Sequence, residues 1–212
     1  MDPLPTTNLR TNLASWAVPA ERIPAAAHAL TQALPLEAFD PGFHGQYLTT
    51  TYFDTQGFDL RKARLKGKRY LTLRVRCYLN DQGETYALSA KTEAQKVRVE
   101  ITSEVATLLR QRPSFSALAN HLPGDFLARL LELTDKRPLT TAIVVSGRRF
   151  AVEDDTDRLT LDVEIRSDTG KCLPYGVVEF KSTLAGSEPP SSLAVLNLRP
   201  VKLSKFLWST QP

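Results

Sequence analysis

Two arginines spaced two residues apart, Arg74 and Arg76, are the most chemically suggestive pair in this chain. Arginine offers a planar fork of donors that matches the oxygens of phosphate or carboxylate. They do not stand alone. Lys91, Lys96, Arg98, Arg158 and Lys181 recur at alternate positions of extended-looking segments, with acids concentrated at Asp162, Glu164 and Glu179. Such residues suit binding of an anion by charge-assisted hydrogen bonds.

The segments that carry these groups read as strands. In 70–79, Leu71, Leu73, Val75 and Cys77 alternate with Thr72, Arg74, Arg76 and Tyr78, the two-residue period of a strand with one buried face. Segments 10–18, 46–53, 84–91, 96–102, 140–152, 158–166 and 175–182 extend the set to eight. The sequence Asn80-Asp81-Gln82-Gly83 turns a hairpin between two of them. Helical spacing marks 19–34, a short piece at 60–65, then 103–111, 115–121, 123–133 and 193–198. The fold class is α+β, with one domain over 10–212 after a loose segment at 1–9. One solution for a basic polar face on a repeated apolar/polar alternation is an eight-stranded antiparallel β-barrel with that face inside and the helices packed outside. A cationic lumen requires an anion, because unpaired confined charge is costly.

Composition agrees with a globular protein. The chain has 212 residues, 42% hydrophobic and 24% charged, and a net charge of only +4. The charge is uneven: 61–98 holds 11 Lys/Arg against 3 Asp/Glu, a local +8, leaving −4 for the remainder. No apolar run approaches the ~20 residues that span a bilayer, and no secretory signal is visible, so a cytoplasmic location is expected. Cys77 and Cys172 lack metal-ligand spacing and read as free thiols. There is no phosphate-binding Gly-rich loop ending in Lys-Ser/Thr, no Gly-x-Ser-x-Gly elbow and no zinc motif. Few aromatic residues interleave the charges, so nucleic acid is not expected as a partner.

The order of short motifs resembles one family. Tyr-Phe-Asp-Thr (52–55), Leu-Arg-Val-Arg-x-Tyr (73–78), Lys91, Lys-Val-Arg (96–98), Gly-Arg-Arg-Phe (147–150), Arg-Leu-Thr-Leu-Asp (158–162), Val-Glu-Phe-Lys (178–181) and Lys-Leu-Ser-Lys-Phe (202–206) are similar to the polyphosphate polymerase (VTC) domain of the triphosphate tunnel metalloenzymes, relatives of CYTH proteins. The resemblance implies an eight-stranded tunnel that binds ATP and polyphosphate or tripolyphosphate, and passes the γ-phosphate of ATP to a growing chain. By position it implies that Arg74, Arg76, Lys91 and Lys181 act at the reacting phosphates. Lys96, Arg98, Arg158, Lys202 and Lys205 would grip further phosphate oxygens. Arg148 or Arg149 matches the basic position on its strand, with Arg148 preferred. Glu179 would hold Mn²⁺ or Mg²⁺. Lys202 and Lys205, three apart, would share one face of a terminal helix. A non-catalytic binding module and an inorganic triphosphatase are the alternatives, and a membrane-protein partner is unspecified.

Departures from the family pattern are specific. Where its first strand carries an acid and a lysine, this chain has Leu13-Ala14-Ser15-Trp16; Ser89 replaces a second acid, and Thr72 replaces a lysine that often precedes the arginine pair. The residues Asp162 and Glu164 read as ion-pair partners of Arg158, with a second metal contact as the alternative, and Asp54 reads as a turn residue.

Overall fold

The computed structural model describes residues 6–7, 11–37, 40, 42–67, 69–81 and 83–211. Its central strand is β4 (Thr72–Asn80), which pairs with β3 (Gln46–Thr55) on one side and β5 (Gly83–Lys91) on the other. Leu73 and Val75 are fully buried on its outer face, while Thr72, Arg74, Arg76 and Tyr78 point to the inner one. The alternation read from the sequence therefore sorts the two faces correctly. Further strands are β1 (Thr6–Thr7), β2 (Thr11–Pro19), β6 (Lys96–Ile101), β7 (Leu139–Glu153), β8 (Asp157–Ser167), β9 (Tyr175–Ser182) and β10 (Arg199–Pro200). All pairings are antiparallel, in the order β1-β6-β5-β4-β3-β7-β8-β9-β2-β10.

This order corrects the expectation of a closed eight-stranded barrel. The eight long strands are those expected, but the ladder is open. One edge ends on the two-residue β1 and the other on the two-residue β10. Thr6–Thr7 also falls in the segment expected to be loose; residues 1–5 and 8–10 lie outside the described part. The sheet nevertheless curls, since side chains from β6 at one end and from β9 and β2 at the other line one cavity with those of β4. Strand twist in one hand produces such curling.

Two apolar layers hold the curl from outside. Helices α3 (Ser103–Gln111), α4 (Phe115–Ala119) and α5 (Gly124–Thr134) place Leu109, Leu118, Phe126 and Leu130 against Phe53, Leu73, Val75 and Leu88 of the sheet. On the other flank α1 (Ile23–Ala33) and α6 (Ser191–Ala194) bring Leu30 and Leu193 onto Leu159, Leu161, Val178 and Phe180. Pro24 sits in the first turn of α1, where its missing N–H costs nothing. The last helix, α7 (Lys205–Ser209), departs from the expectation that helices pack outside. Its Phe206 stacks on Tyr52 at 5.2 Å between ring centres and joins Ile143, Val145, Ile165 and Val177. Tyr52 faces the cavity, so α7 fills part of the interior.

One buried acid fixes the remaining helix, α2 (Asp59–Leu65). Asp54, read from sequence as a turn residue, is fully buried at the end of β3. Its carboxylate accepts the N–H groups of Thr55, Leu60 and Arg61 at 2.7, 2.9 and 2.9 Å. It thus satisfies donors that a helix start leaves unpaired. Replacing Asp54 with Ala is expected to cost about 2 kcal/mol of stability, read as a lower urea midpoint at unchanged slope.

Candidate functional site

The inner face of the curled sheet encloses a cavity of about 280 Å³. Among the described residues, ten basic side chains line it: Arg64, Arg74, Arg76, Lys91, Lys96, Arg98, Arg149, Arg158, Lys181 and Lys205. Among the described residues, Glu179 is the one acid that lines it. Of the residues singled out from the sequence, the structure brings together Arg74, Arg76, Lys91, Lys96, Arg98, Arg158, Glu179, Lys181 and Lys205. It does not bring in Arg148 or Lys202.

Strand phase explains Arg148. On β7 the odd-numbered Ile143 and Val145 face inward, and Arg149 follows them. Arg148 points the other way, where its guanidinium lies over the rings of Tyr47 and Phe150 and donates to the His44 carbonyl. The sequence could not separate the two, because Ile143-Val144-Val145 is apolar on both faces. Lys202 fails for a different reason. It is exposed and lies before α7, so the expected helical pairing with Lys205 does not form.

A bulge on β8 corrects a second reading. Between Ser146/Arg166 and Arg148/Val163 the ladder advances two residues on β7 and three on β8. The extra residue falls where Glu164 adopts φ +53°, and Glu164 is exposed. Gly147 faces this region, and a Cβ there would meet the Val163 carbonyl oxygen at 3.0 Å. Asp162 therefore turns inward without Glu164, and it pairs with Arg149 rather than Arg158. Both Arg149 bonds to Asp162 are 2.6 Å long, and Lys205 donates to the same carboxylate. Arg158 is neutralised from outside the sheet by Glu37, at 2.6 Å. Glu37 follows α1 and carried no distinguishing signal in the sequence.

Glu179 and Lys181 lie on the same side of β9 and pair at 2.5 Å. Lys181 holds the Glu179 carboxyl far below its ordinary range, against the opposing effect of burial, with help from Lys205. Burial raises the Asp162 carboxyl, but Arg149 and Lys205 outweigh it and bring it well below the usual carboxylate value.

The remaining cations are uncompensated. Among the described residues, none of Arg64, Arg74, Arg76, Lys91, Lys96 and Arg98 forms an ion pair with a carboxylate. Arg76 is 8% exposed and is aimed by a 3.0 Å bond from Nε to Thr50 Oγ1. Burial, then the charges of Arg74, Arg76, Lys181 and Arg98, lower the Lys96 ammonium to about 6. Tyr78, an unassigned position in the sequence reading, responds to the same field. Burial raises its phenol, but Arg76, Arg98 and Arg149 bring it down to about 7. The Arg98 guanidinium lies 4.9 Å from the centre of its ring. These shifts mark a site that favours negative charge at its centre.

The positions of lost family groups are also visible. The β2 ladder slips between Asn12 and Ala14, which makes Leu13 the extra residue. Asn12 then faces the cavity opposite Lys181, and Ser15 lies opposite Glu179. Ser89 is buried between Arg74 and Arg98. Thr72 accepts a 3.2 Å hydrogen bond from Arg64.

Breaking a buried pair from one side leaves an unpaired charge. Asp162→Asn is expected to destabilise the fold by about 3 kcal/mol, measured by denaturant unfolding near neutral pH. The wild-type contribution is present above the ordinary aspartate range and is lost as pH falls through the depressed native value, so the two proteins should converge in stability in strong acid.

The family model for the VTC domain matches residues 11–210. Among curated proteins, none matches this chain. Solved structures share the fold at low identity. A candidate adenylate cyclase of Bacillus halodurans is 18% identical, with TM-score 0.51, over 86% of this chain and 83% of the other. The PH1819 protein of Pyrococcus horikoshii is 15% identical, with TM-score 0.52, over 92% and 94%. A candidate adenylate cyclase of Vibrio parahaemolyticus is 14% identical, with TM-score 0.52, over 92% and 96%. The family match spans the cavity-lining residues from Asn12 to Phe206, and the chain therefore belongs to the VTC domain family.

Proposed function

We propose that this domain binds linear phosphate chains in the cationic cavity and transfers the γ-phosphoryl group of ATP to the end of an inorganic polyphosphate. The observation that carries this reading is the row of cations on β4, β5 and β6 that have no carboxylate partner among the described residues, centred on the buried Arg76 and the half-buried Arg74, Lys96 and Arg98. A tunnel completed across the two short edge strands is the enclosure we propose for the chain. With ATP as donor, the site faces the cytoplasm.

Phosphoryl transfer depends mainly on alignment and on stabilising charge at the equatorial oxygens. A terminal oxygen of the polyphosphate attacks the γ-phosphorus, the bond to the β–γ bridging oxygen breaks, and ADP leaves. Arg74 and Arg76 are set to hold the transferring group, with Lys91 and Lys181 flanking it. Lys96, Arg98, Arg149, Arg158 and Lys205 hold the neighbouring units. Arg149 takes the role expected of Arg148.

The donor set suits a divalent cation that arrives chelated by phosphates. Mg²⁺ is normally held by one or two carboxylates plus substrate oxygens, and Glu179 offers one such carboxylate. Among the described residues no group of three or more His, Cys, Asp or Glu could cage an ion, and Asp162 is occupied by Arg149 and Lys205. Mn²⁺ or Mg²⁺ would supply charge neutralisation on the phosphates. The Lys181 contact to Glu179 favours a second reading, a module that binds polyphosphate without turning it over.

Purified protein given ATP, Mn²⁺ and a short polyphosphate primer should lengthen the chain. Tight binding without elongation would select the binding module, and phosphate release from tripolyphosphate would select hydrolysis. Arg76→Ala is expected to weaken tripolyphosphate binding by about 2 kcal/mol, roughly thirtyfold, and to flatten its salt dependence. Unchanged affinity would contradict the assignment. Binding should also take up protons. An anion raises the native pKa values of Lys96 (about 6) and Tyr78 (about 7), so affinity should fall as pH rises above about 6. Calorimetry near pH 8 in buffers of different ionisation heat reads this uptake directly.

A further inference from the structure

Among the described residues, Arg64 is the one basic cavity residue contributed by an outer helix, and it belongs to neither the β-strand pattern nor the terminal segment. It sits in the last turn of α2, whose start is pinned by Asp54. Its side chain is held from two sides: the guanidinium donates to Thr72 Oγ1 at 3.2 Å and lies 4.5 Å from the centre of the Tyr70 ring. Both anchors are neutral. Among the described residues Arg64 has no carboxylate partner, although it lines the cavity. A like charge, Lys91, lies close enough in the wall to feel it. Partial burial, then Arg64, then Arg74 disfavour the Lys91 ammonium. A guanidinium oriented by neutral groups toward another cation is arranged for an anion that has yet to arrive.

Its place along the cavity specifies which part of the anion. Thr72 and Lys91 are paired in the ladder at the first residue of β4, and Arg64 joins them there. Tyr78 lies six residues further along the strand, near Arg149. At ~3.3 Å per residue this separation is about 20 Å. Arg74 and Arg76 lie between. A short ligand gripped by the central arginines does not require Arg64, whereas a longer chain extends past Lys91 to reach it.

We propose that Arg64 forms an outer subsite for additional phosphate units beyond Lys91, and that it makes the cavity prefer longer chains over tripolyphosphate. This inference rests on the reading of the cavity as a phosphate-chain site. The test is titration calorimetry of wild type, Arg64→Gln, Arg64→Lys and Arg76→Ala with tripolyphosphate and with a polyphosphate of several tens of units, at one salt concentration. Wild type should bind the long chain more tightly per end. Arg64→Gln should bind tripolyphosphate within about twofold of wild type but the long chain about tenfold more weakly, the loss of roughly one charge-assisted bond. Arg64→Lys should recover part of that loss, and Arg76→Ala should weaken both ligands. Equal loss for both ligands, or none for either, in Arg64→Gln would overturn the outer subsite while leaving the site itself intact. Failure of wild type to bind either ligand would instead overturn the underlying reading and this inference with it.

Discussion

Repulsion among like charges in a confined space is the constraint on which this structure depends. Ten basic side chains face a cavity of about 280 Å³, and bulk water cannot screen them as it would on a surface. Left to themselves they would drive the walls apart. Two apolar layers, one under α3 to α5 and the other under α1 and α6, hold the sheet curled against that force. The outer faces of the strands thereby supply the stability that the inner faces spend on function.

Internal acids divide the cations into two groups. Asp162 fixes Arg149 and Lys205, Glu37 fixes Arg158, and Glu179 fixes Lys181. These pairs concentrate on β7, β8, β9 and the start of α7. The free cations concentrate on α2, β4, β5 and β6. The cavity is therefore asymmetric, with a neutralised, rigid wall facing an uncompensated one. A phosphate chain would gain most along the second wall, while the first holds its side chains in place by charge pairing. The depressed Lys96 ammonium and Tyr78 phenol lie on the uncompensated side, where proton uptake can accompany an incoming anion.

Much of this arrangement was legible in the sequence because a two-residue period carries face information directly. Arg74, Arg76, Lys96 and Arg98 could be assigned to one face from Leu73, Val75, Val97 and Val99 alone. The period fails where the backbone slips. The bulge at Glu164 separates it from Asp162, and the slip at Leu13 turns Asn12 inward; neither position carries a glycine or proline that would announce it. It fails also where both faces are apolar, which is why Arg148 and Arg149 could not be told apart. Arg64, Glu37 and the inward packing of α7 are tertiary events, set by how helices and loops meet the sheet. Alternation specifies faces but not whether the last strand meets the first, so closure of the sheet is not legible from it.

The central claim is that the uncompensated wall is a site for a linear phosphate chain. The most direct test is a crystal structure of the protein with tripolyphosphate and Mn²⁺. Phosphates are expected inside the cavity, in contact with Arg74, Arg76, Lys96 and Arg98, with Lys181 and Glu179 across from them. Tripolyphosphate bound only on the outer surface, with the cavity cations turned away or the walls collapsed onto one another, would contradict it.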